Sequence, residues 1–166
     1  EDTVEDMEAT LETLLMLART EQRQPDNEDV IVNDLAVNLM ERLSPLADRK
    51  QIRLQVRQTA LLTVHSPEVA LTIVLTNLVR NAINYSGSGD VTILVAEKTV
   101  HVVDYGAGMD ADELARILKP FERGQSQEAG HGLGLAIVQR LCERYHWHLM
   151  VTSAPGRGTE VAIRFS

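Results

Sequence analysis

The chain has a single cysteine, Cys142, among its 166 residues, so an internal disulfide is excluded and no thiolate cluster exists to hold a metal. Cys142 falls in a helical pattern, where it reads as a small packed apolar residue. No apolar run reaches the roughly 18 residues of a membrane span, and no secretory leader is visible, so the chain is expected to be soluble. An initiator methionine is missing too. The sequence opens at Glu1, as a fragment or processed product would. Positive charge is scarce: 16 Lys and Arg face 24 Asp and Glu, a formal charge of −8 that argues against a nucleic-acid partner. The scarcity is local. Ten acidic residues stand at or before Asp29 against only Arg19 and Arg23, which leaves fourteen of each sign in the main body.

In that acidic front segment Val4, Met7, Leu11, Leu14 and Ala18 are spaced alternately by three and four, a heptad seam that Leu15 and Leu17 broaden. So short a helix is marginal alone in water, which implies a bundle or a dimer, or else a helix folded back on its own domain. Residues 25–29 read as a polar, proline-containing linker. A helix is expected over Asn33 to Arg49, with Leu35, Leu39, Leu43 and Leu46 inward and a kink or turn boundary at Pro45. Strands are expected at Ile52–Gln58 and Leu61–Val64, and Ser66-Pro67 reads as the cap and first turn of the next helix. Two further strands, Val91–Glu97 and Thr99–Val103, meet at a tight connection near Lys98. A helix from Asp110 to Lys119 and another from Gly132 to Tyr145 follow. Strands His148–Ser153 and Thr159–Phe165 close the chain across Ala154-Pro155-Gly156.

The helix from Leu71 to Ser86 is the stretch that the rest is organised around. Leu71, Leu75, Leu78 and Ala82 form an apolar row, and Asn77, Asn81 and Asn84 form a polar row beside it. A buried Asn costs roughly 1 to 3 kcal/mol unless its amide finds partners, so the row implies either a ligand or a solvated polar stripe. After it come VVDYGAGM (Val102–Met109), PFERG (Pro120–Gly124), GHGLGLAIV (Gly130–Val138) and GRGTEVAIRF (Gly156–Phe165). Each alone is a weak signal, since a glycine pair after a strand is commonly just a turn.

Together and in this order, the Asn row and these motifs make the chain resemble, over nearly its whole length, the ATP-binding domain of sensor histidine kinases. That domain has the Bergerat fold shared with gyrase, heat-shock chaperone and mismatch-repair ATPases. The fold implied is a two-layer α/β sandwich, with a mixed, mainly antiparallel sheet covered by helices and an N-terminal helix extending from it. The domain division implied is the second helix of a dimerisation and phosphotransfer hairpin over 1–24, a linker over 25–29 and the ATP-binding domain over 30–166.

The resemblance assigns ATP and Mg²⁺ as ligands and distributes them over this sequence. Asp104 contacts the adenine amino group, which suits a group that only accepts hydrogen bonds. Gly106 and Gly108 permit close backbone approach, and Met109 lines the base. Asn81 holds Mg²⁺ through its side-chain oxygen, with Asn77 near the same phosphates. Asn77 also stands where hydrolases of this fold carry a general-base Glu, and an amide cannot serve as one, so phosphotransfer is favoured over hydrolysis. Asn84, beside Tyr85, replaces a Lys that many members use on phosphate, and Arg123 is the candidate for the missing cation. Phe121 resembles a lid anchor. Gly130, His131, Gly132, Leu133 and Gly134 form the lid and helix opening over the phosphates, and Thr159 approaches adenine.

None of His65, His101, His131, His146 or His148 lies in the family's phosphoacceptor motif. The expectation is therefore a catalytic domain that transfers the ATP γ-phosphate to a histidine carried elsewhere, for relay to an aspartate of a response regulator. It would act in the cytoplasm, in a parent that is a homodimer anchored in the bacterial inner membrane. The alternatives are a nucleotide-gated interaction module without productive transfer and a Ser/Thr kinase of the anti-sigma type.

Overall fold

The structure, a computed structural model, describes residues 26–87, 89–118 and 131–165, the side chains of 131–134 excepted. The heptad segment from Val4 to Ala18 lies outside the described residues, as do Phe121, Arg123, Gly124 and Gly130. In chain order the elements are β1 (Glu28–Ile31), α1 (Val32–Arg49), β2 (Ile52–Gln58), β3 (Thr63–Ser66), α2 (Glu68–Ser86), β4 (Gly89–Ala96), β5 (Thr99–Asp104), α3 (Ala111–Leu118), α4 (His131–Tyr145), β6 (His148–Ser153) and β7 (Thr159–Arg164).

Five strands form one sheet in the order β2-β4-β5-β7-β6, with β2 parallel to β4 and every other pairing antiparallel. This is the mixed, mainly antiparallel sheet of the expected sandwich. Its inner face carries Val91, Ile93, Val95, Val100, Val102 and Ile163, all at 1% exposure or less. Against them pack Leu71, Val74, Leu75, Leu78, Val79 and Ile83 of α2, flanked by the buried stripe of α1 and by Leu135, Val138 and Leu141 of α4. Because α2 is buried on most of its circumference, it fixes the position of everything its amide row faces.

The ends of the elements depart from expectation in three places. The last two residues of the segment read as linker, Glu28 and Asp29, open β1, which pairs antiparallel with β3 from Glu28 opposite Ser66 to Ile31 opposite Thr63. Four residues of unremarkable composition carry no strand signal until a partner is supplied. That pairing moves β3 to Thr63–Ser66, leaves Leu61 74% exposed, and makes Ser66 a buried strand residue. Pro67, extended at φ −62° and ψ 130°, stands at the N-cap of α2 in its place, without a side-chain cap bond.

The third departure is Pro45, which lies inside α1 with no turn boundary. The residue lacks an N–H, yet Leu43 and Ala47 on either side of it are both buried, so packing on the sheet outweighs the lost backbone bond. At the start of α1 the buried Asn33 ties three segments together. Its Oδ1 accepts from the Leu62 N–H at 2.9 Å, and its Nδ2 donates to Gln58 Oε1 and the Ala60 carbonyl, both at 2.9 Å.

Two connections follow their local chemistry. The β4–β5 hairpin turns through Glu97 and Lys98, with Lys98 left-handed at φ 57°. Helix α4 ends with His146 left-handed at φ 59°, while the Trp147 N–H donates to the Cys142 carbonyl at 2.8 Å, so a histidine takes the place usual for glycine. That turn delivers Trp147 between Tyr145, stacked at 5.2 Å, and Phe165, edge-on at 5.3 Å. Tyr145 is half-buried and packs against the core through this stack.

Candidate functional site

Between α2 and the inner face of the sheet a cleft of about 500 Å³, counted out to its open mouth, is left unfilled. Its walls are Leu78 and Ala82 of α2, Val102 of β5, Val151 of β6, Val161 of β7, Ile117 of α3 and Leu135 of α4. Polar groups enter at few points: Asn81, Tyr85, Asp104 and Thr159, with Met109 beside them. A flat, largely apolar slot with a few directed polar groups is a ligand pocket by its chemistry.

Among the described residues Asp104 is the one charged side chain lining the cleft, and it is 4% exposed. It is the last residue of β5, opposite Val91 on one side and Thr159 on the other, so the two ladders fix its position from both flanks. Burial pushes its carboxyl above the ordinary value, while backbone N–H groups of Gly106 (to Oδ1, 3.0 Å) and Thr159 pull the other way. The β5–β7 register is what makes Asp104 and Thr159 neighbours, a pairing across 55 positions that spacing alone does not announce.

The loop after Asp104 is held by hydrogen bonds that sequence reasoning missed. Ser153 Oγ accepts from the Met109 N–H at 2.8 Å and donates to the Gly158 carbonyl at 2.9 Å, and it lies 2.8 Å from Thr159 Oγ1. With that one proton committed to Gly158, Thr159 donates to Ser153, which leaves the Thr159 oxygen as an acceptor toward the cleft. The Gly156 N–H donates to the Ala107 carbonyl at 2.6 Å. A serine at a strand end carries no signal for such a role.

The glycines at Gly106, Gly108 and Gly158 have a reason within the fold itself. A Cβ on Gly106 would lie 2.8 Å from the Ser86 carbonyl oxygen. One on Gly108, left-handed at φ +72°, would run into the Ala154 carbonyl, and one on Gly158, at φ +71°, into the carbonyl of Asp104. In each case the missing side chain makes room for backbone of another segment.

The amide row of α2 divides. Asn81 lines the cleft. Asn77 does not line it, and its Nδ2 donates to the Ile73 carbonyl one turn back at 2.7 Å. Asn84 is likewise absent from the lining, and its Oδ1 is buried with no hydrogen-bond partner. Tyr85 stands at the rim, 41% exposed. Helix α4 includes His131, Gly132, Leu133 and Gly134, whose side chains lie outside the described ones, and its next residue, Leu135, borders the cleft. No Lys or Arg is among the described residues that line it.

An α/β sandwich whose apolar pocket ends on a buried carboxylate is built to take a flat, hydrogen-bonding small molecule. Residues 66–166 match the family described as histidine kinase-, DNA gyrase B- and HSP90-like ATPase, and the chain belongs to that family. Within it the similarity is to sensor kinases. The phosphate regulon sensor protein PhoR of Pseudomonas aeruginosa is 30% identical over 171 residues, covering 96% of this chain and 39% of PhoR. The sensor-like histidine kinase SenX3 of Mycobacterium tuberculosis is 31% identical over 167 residues, covering 95% of this chain and 40% of SenX3.

Among solved structures, full-length ShkA in complex with AMPPNP superimposes with a TM-score of 0.77 at 28% identity, over 95% of this chain and 35% of that one. The cytoplasmic segment of histidine kinase QseC, at 20% identity, shares the fold with a TM-score of 0.70, over 97% of this chain and 94% of that one. The chain is thus an ATP-binding domain of the sensor histidine kinase kind, and it spans about two fifths of the length of the curated relatives it matches. Among the described residues, no helix is long and apolar enough to cross a membrane.

Proposed function

We propose that this chain binds Mg²⁺-ATP in the cleft and transfers the γ-phosphate to a histidine on a hairpin helix, for relay to an aspartate of a response regulator receiver domain. The observation that carries the reading is Asp104, a carboxylate 4% exposed at the end of an otherwise apolar slot. A group that only accepts hydrogen bonds pairs with the amino group of adenine and opposes the carbonyl of guanine. In a dry pocket that mismatch costs roughly 1 to 3 kcal/mol. The apolar walls cover the faces of the base, and Thr159 offers a second acceptor beside Asp104.

The donor set also fits Mg²⁺. Among the described residues there is no cluster of three His, Cys, Asp or Glu that would cage a metal, while Asn81 offers one amide oxygen on the cleft wall. Mg²⁺ takes few protein oxygens and keeps phosphates and waters, and when bound it neutralises phosphate charge. Asn81 would hold it. Positive partial charge comes from the backbone N–H groups at the start of α4, just before the cleft-lining Leu135, and Arg123 is the side-chain cation in this reading. These groups position and neutralise, and the attacking imidazole is brought by another segment. In the same reading residues 1–24 are the second hairpin helix, joined to the domain by a linker that runs into β1 at Glu28, the whole protein is a homodimer through that hairpin, and its kinase part works in the cytoplasm beneath a membrane anchor.

Calorimetric titration with a nonhydrolysable ATP analogue, with and without Mg²⁺ and beside GTP, tests the binding half. Saturable binding that prefers adenine and weakens in Asn81→Ala is the expected result, and equal affinity for GTP would refute the role given to Asp104. Incubation with labelled ATP and a separate histidine-bearing hairpin tests transfer, and binding without labelling would make the domain a nucleotide-gated interaction module.

A further inference from the structure

Two polar side chains of the cleft lining, Asp104 and Thr159, are held as neighbours by the β5–β7 register. Ser153 does not line the cleft, yet its hydroxyl touches three groups: the Met109 N–H at 2.8 Å, the Gly158 carbonyl at 2.9 Å and Thr159 Oγ1 at 2.8 Å. A serine hydroxyl has one proton to give and two lone pairs to offer. The Met109 contact runs only toward Ser153, and the Gly158 contact only away from it. The contact between the two hydroxyls by itself can run either way, but a single assignment makes all three bonds: Ser153 donates to Gly158, and Thr159 donates to Ser153.

The consequence falls on the cleft. Thr159 has spent its only hydroxyl proton, so its oxygen meets a ligand solely as an acceptor. The Asp104 carboxylate accepts as well, with the Gly106 N–H already on its Oδ1 at 3.0 Å. Two adjacent acceptors suit a ligand edge that brings donor hydrogens, and an exocyclic amino group brings two. A carbonyl in that place faces acceptors from both residues. With the Thr159 proton released, its hydroxyl can turn and donate to that carbonyl, and part of the discrimination disappears.

We infer that Ser153 is a specificity-determining positioning residue: acting through Thr159, it fixes the hydrogen-bond polarity of the cleft and with it the preference for adenine over a base that carries a carbonyl in place of the amino group. The inference rests on the ATP reading above and deepens it, adding to Asp104 a second and indirect determinant of the base. A residue outside the cleft selects the ligand by deciding where one proton points.

The test compares calorimetric affinities of the whole chain for a nonhydrolysable ATP analogue and for its inosine counterpart, at one fixed Mg²⁺ concentration. Ser153→Ala should lower the preference for adenine by about five- to tenfold, the range of one hydrogen bond in affinity, and part of that fall should be a gain in inosine affinity. A loop merely loosened by the lost Met109 bond weakens both nucleotides and produces no such gain. Thr159→Val removes the hydroxyl and should weaken the ATP analogue without weakening the inosine one. In the Thr159→Val background, adding Ser153→Ala should change the preference by no more than about twofold, because the proton it controls is gone. Ser153→Thr, which keeps a hydroxyl, should retain the parent preference. Thermal melting without nucleotide reports the folding of each variant.

An unchanged preference in Ser153→Ala, or a loss shared equally by the two nucleotides, overturns the inference and leaves the ATP reading standing. Weaker inosine binding in Thr159→Val overturns it as well, because the hydroxyl would then be donating, and that result decides the matter even where Ser153→Ala does not fold. A parent chain that binds neither nucleotide overturns both.

Discussion

Replacing Gly108 with alanine puts the whole site architecture to the test, because Gly108 is where the Asp104 loop meets the β6–β7 turn. An alanine there faces two separate costs. Its left-handed backbone, at φ +72°, costs a residue with a Cβ roughly 1 to 2 kcal/mol. The new methyl also runs into the Ala154 carbonyl, so the loop must move away from the turn. Moving it breaks the Met109 N–H to Ser153 Oγ bond at 2.8 Å and the Gly156 N–H to Ala107 carbonyl bond at 2.6 Å, each worth about 1 kcal/mol net. The sum is about 3 to 4 kcal/mol, a fall in Tm on the order of 10 °C for a domain of this size.

Gly156 supplies the internal control. It too is left-handed, at φ +77°, as the third residue of a turn that Pro155 enters and the Arg157 N–H to Ala154 carbonyl bond closes, but nothing lies within 4 Å of a Cβ placed on it. Gly156→Ala should therefore lose only the backbone part, about 1 to 2 kcal/mol. Urea denaturation of both variants measures the two losses on one scale. Equal losses would show that the Ala154 contact does not matter and would refute the account of why this loop needs its glycine.

Asp104→Asn should weaken binding of an ATP analogue by about 10- to 100-fold, the worth of a hydrogen bond to a charged acceptor, while keeping the Gly106 contact, since its Oδ1 still accepts there. Burial raises the Asp104 carboxyl, so the folded protein holds that proton more tightly than the unfolded chain. Its contribution to stability then falls as pH climbs from the ordinary carboxylate range to the raised value. The stability difference between parent and variant should change across that window, and a flat difference would refute the assignment. Asn33→Ala strands the buried Leu62 N–H and should cost about 2 to 3 kcal/mol by urea denaturation. A loss under 1 kcal/mol would mean that the β2–β3 connection does not depend on it. Burial pushes the Cys142 thiol up to about 12, so labelling by a thiol reagent at pH 8 should proceed only as fast as the domain unfolds, and rapid labelling of the native protein would contradict the packing.

Most of the fold was legible because its signals are local. Alternation placed β2, β4, β5, β6 and β7 within a residue or two, and the i, i+4 apolar rows placed α1, α2 and α4. What misled were positions where local preference met a tertiary partner. Pro45 reads as a breaker until the sheet covers both of its flanks, and Ser66 reads as a cap until β1 pairs with it.

The site was legible as a set of residue types and not as an arrangement. The sequence by itself determined that a carboxylate, three amides and several glycines recur in one order between strands and helices, because backbone periodicity and turn chemistry depend only on near neighbours. Tertiary structure alone decided the rest: that Asn81 lines the cleft while Asn77 folds back on its own helix, that Ser153 holds the Met109 loop, that the glycines make room for carbonyls of distant segments, and that Asn84 is left with an unpaired oxygen. The physical reason is that each depends on strand register and helix rotation, which are set by burying the whole apolar face at once, and no window of sequence contains that sum.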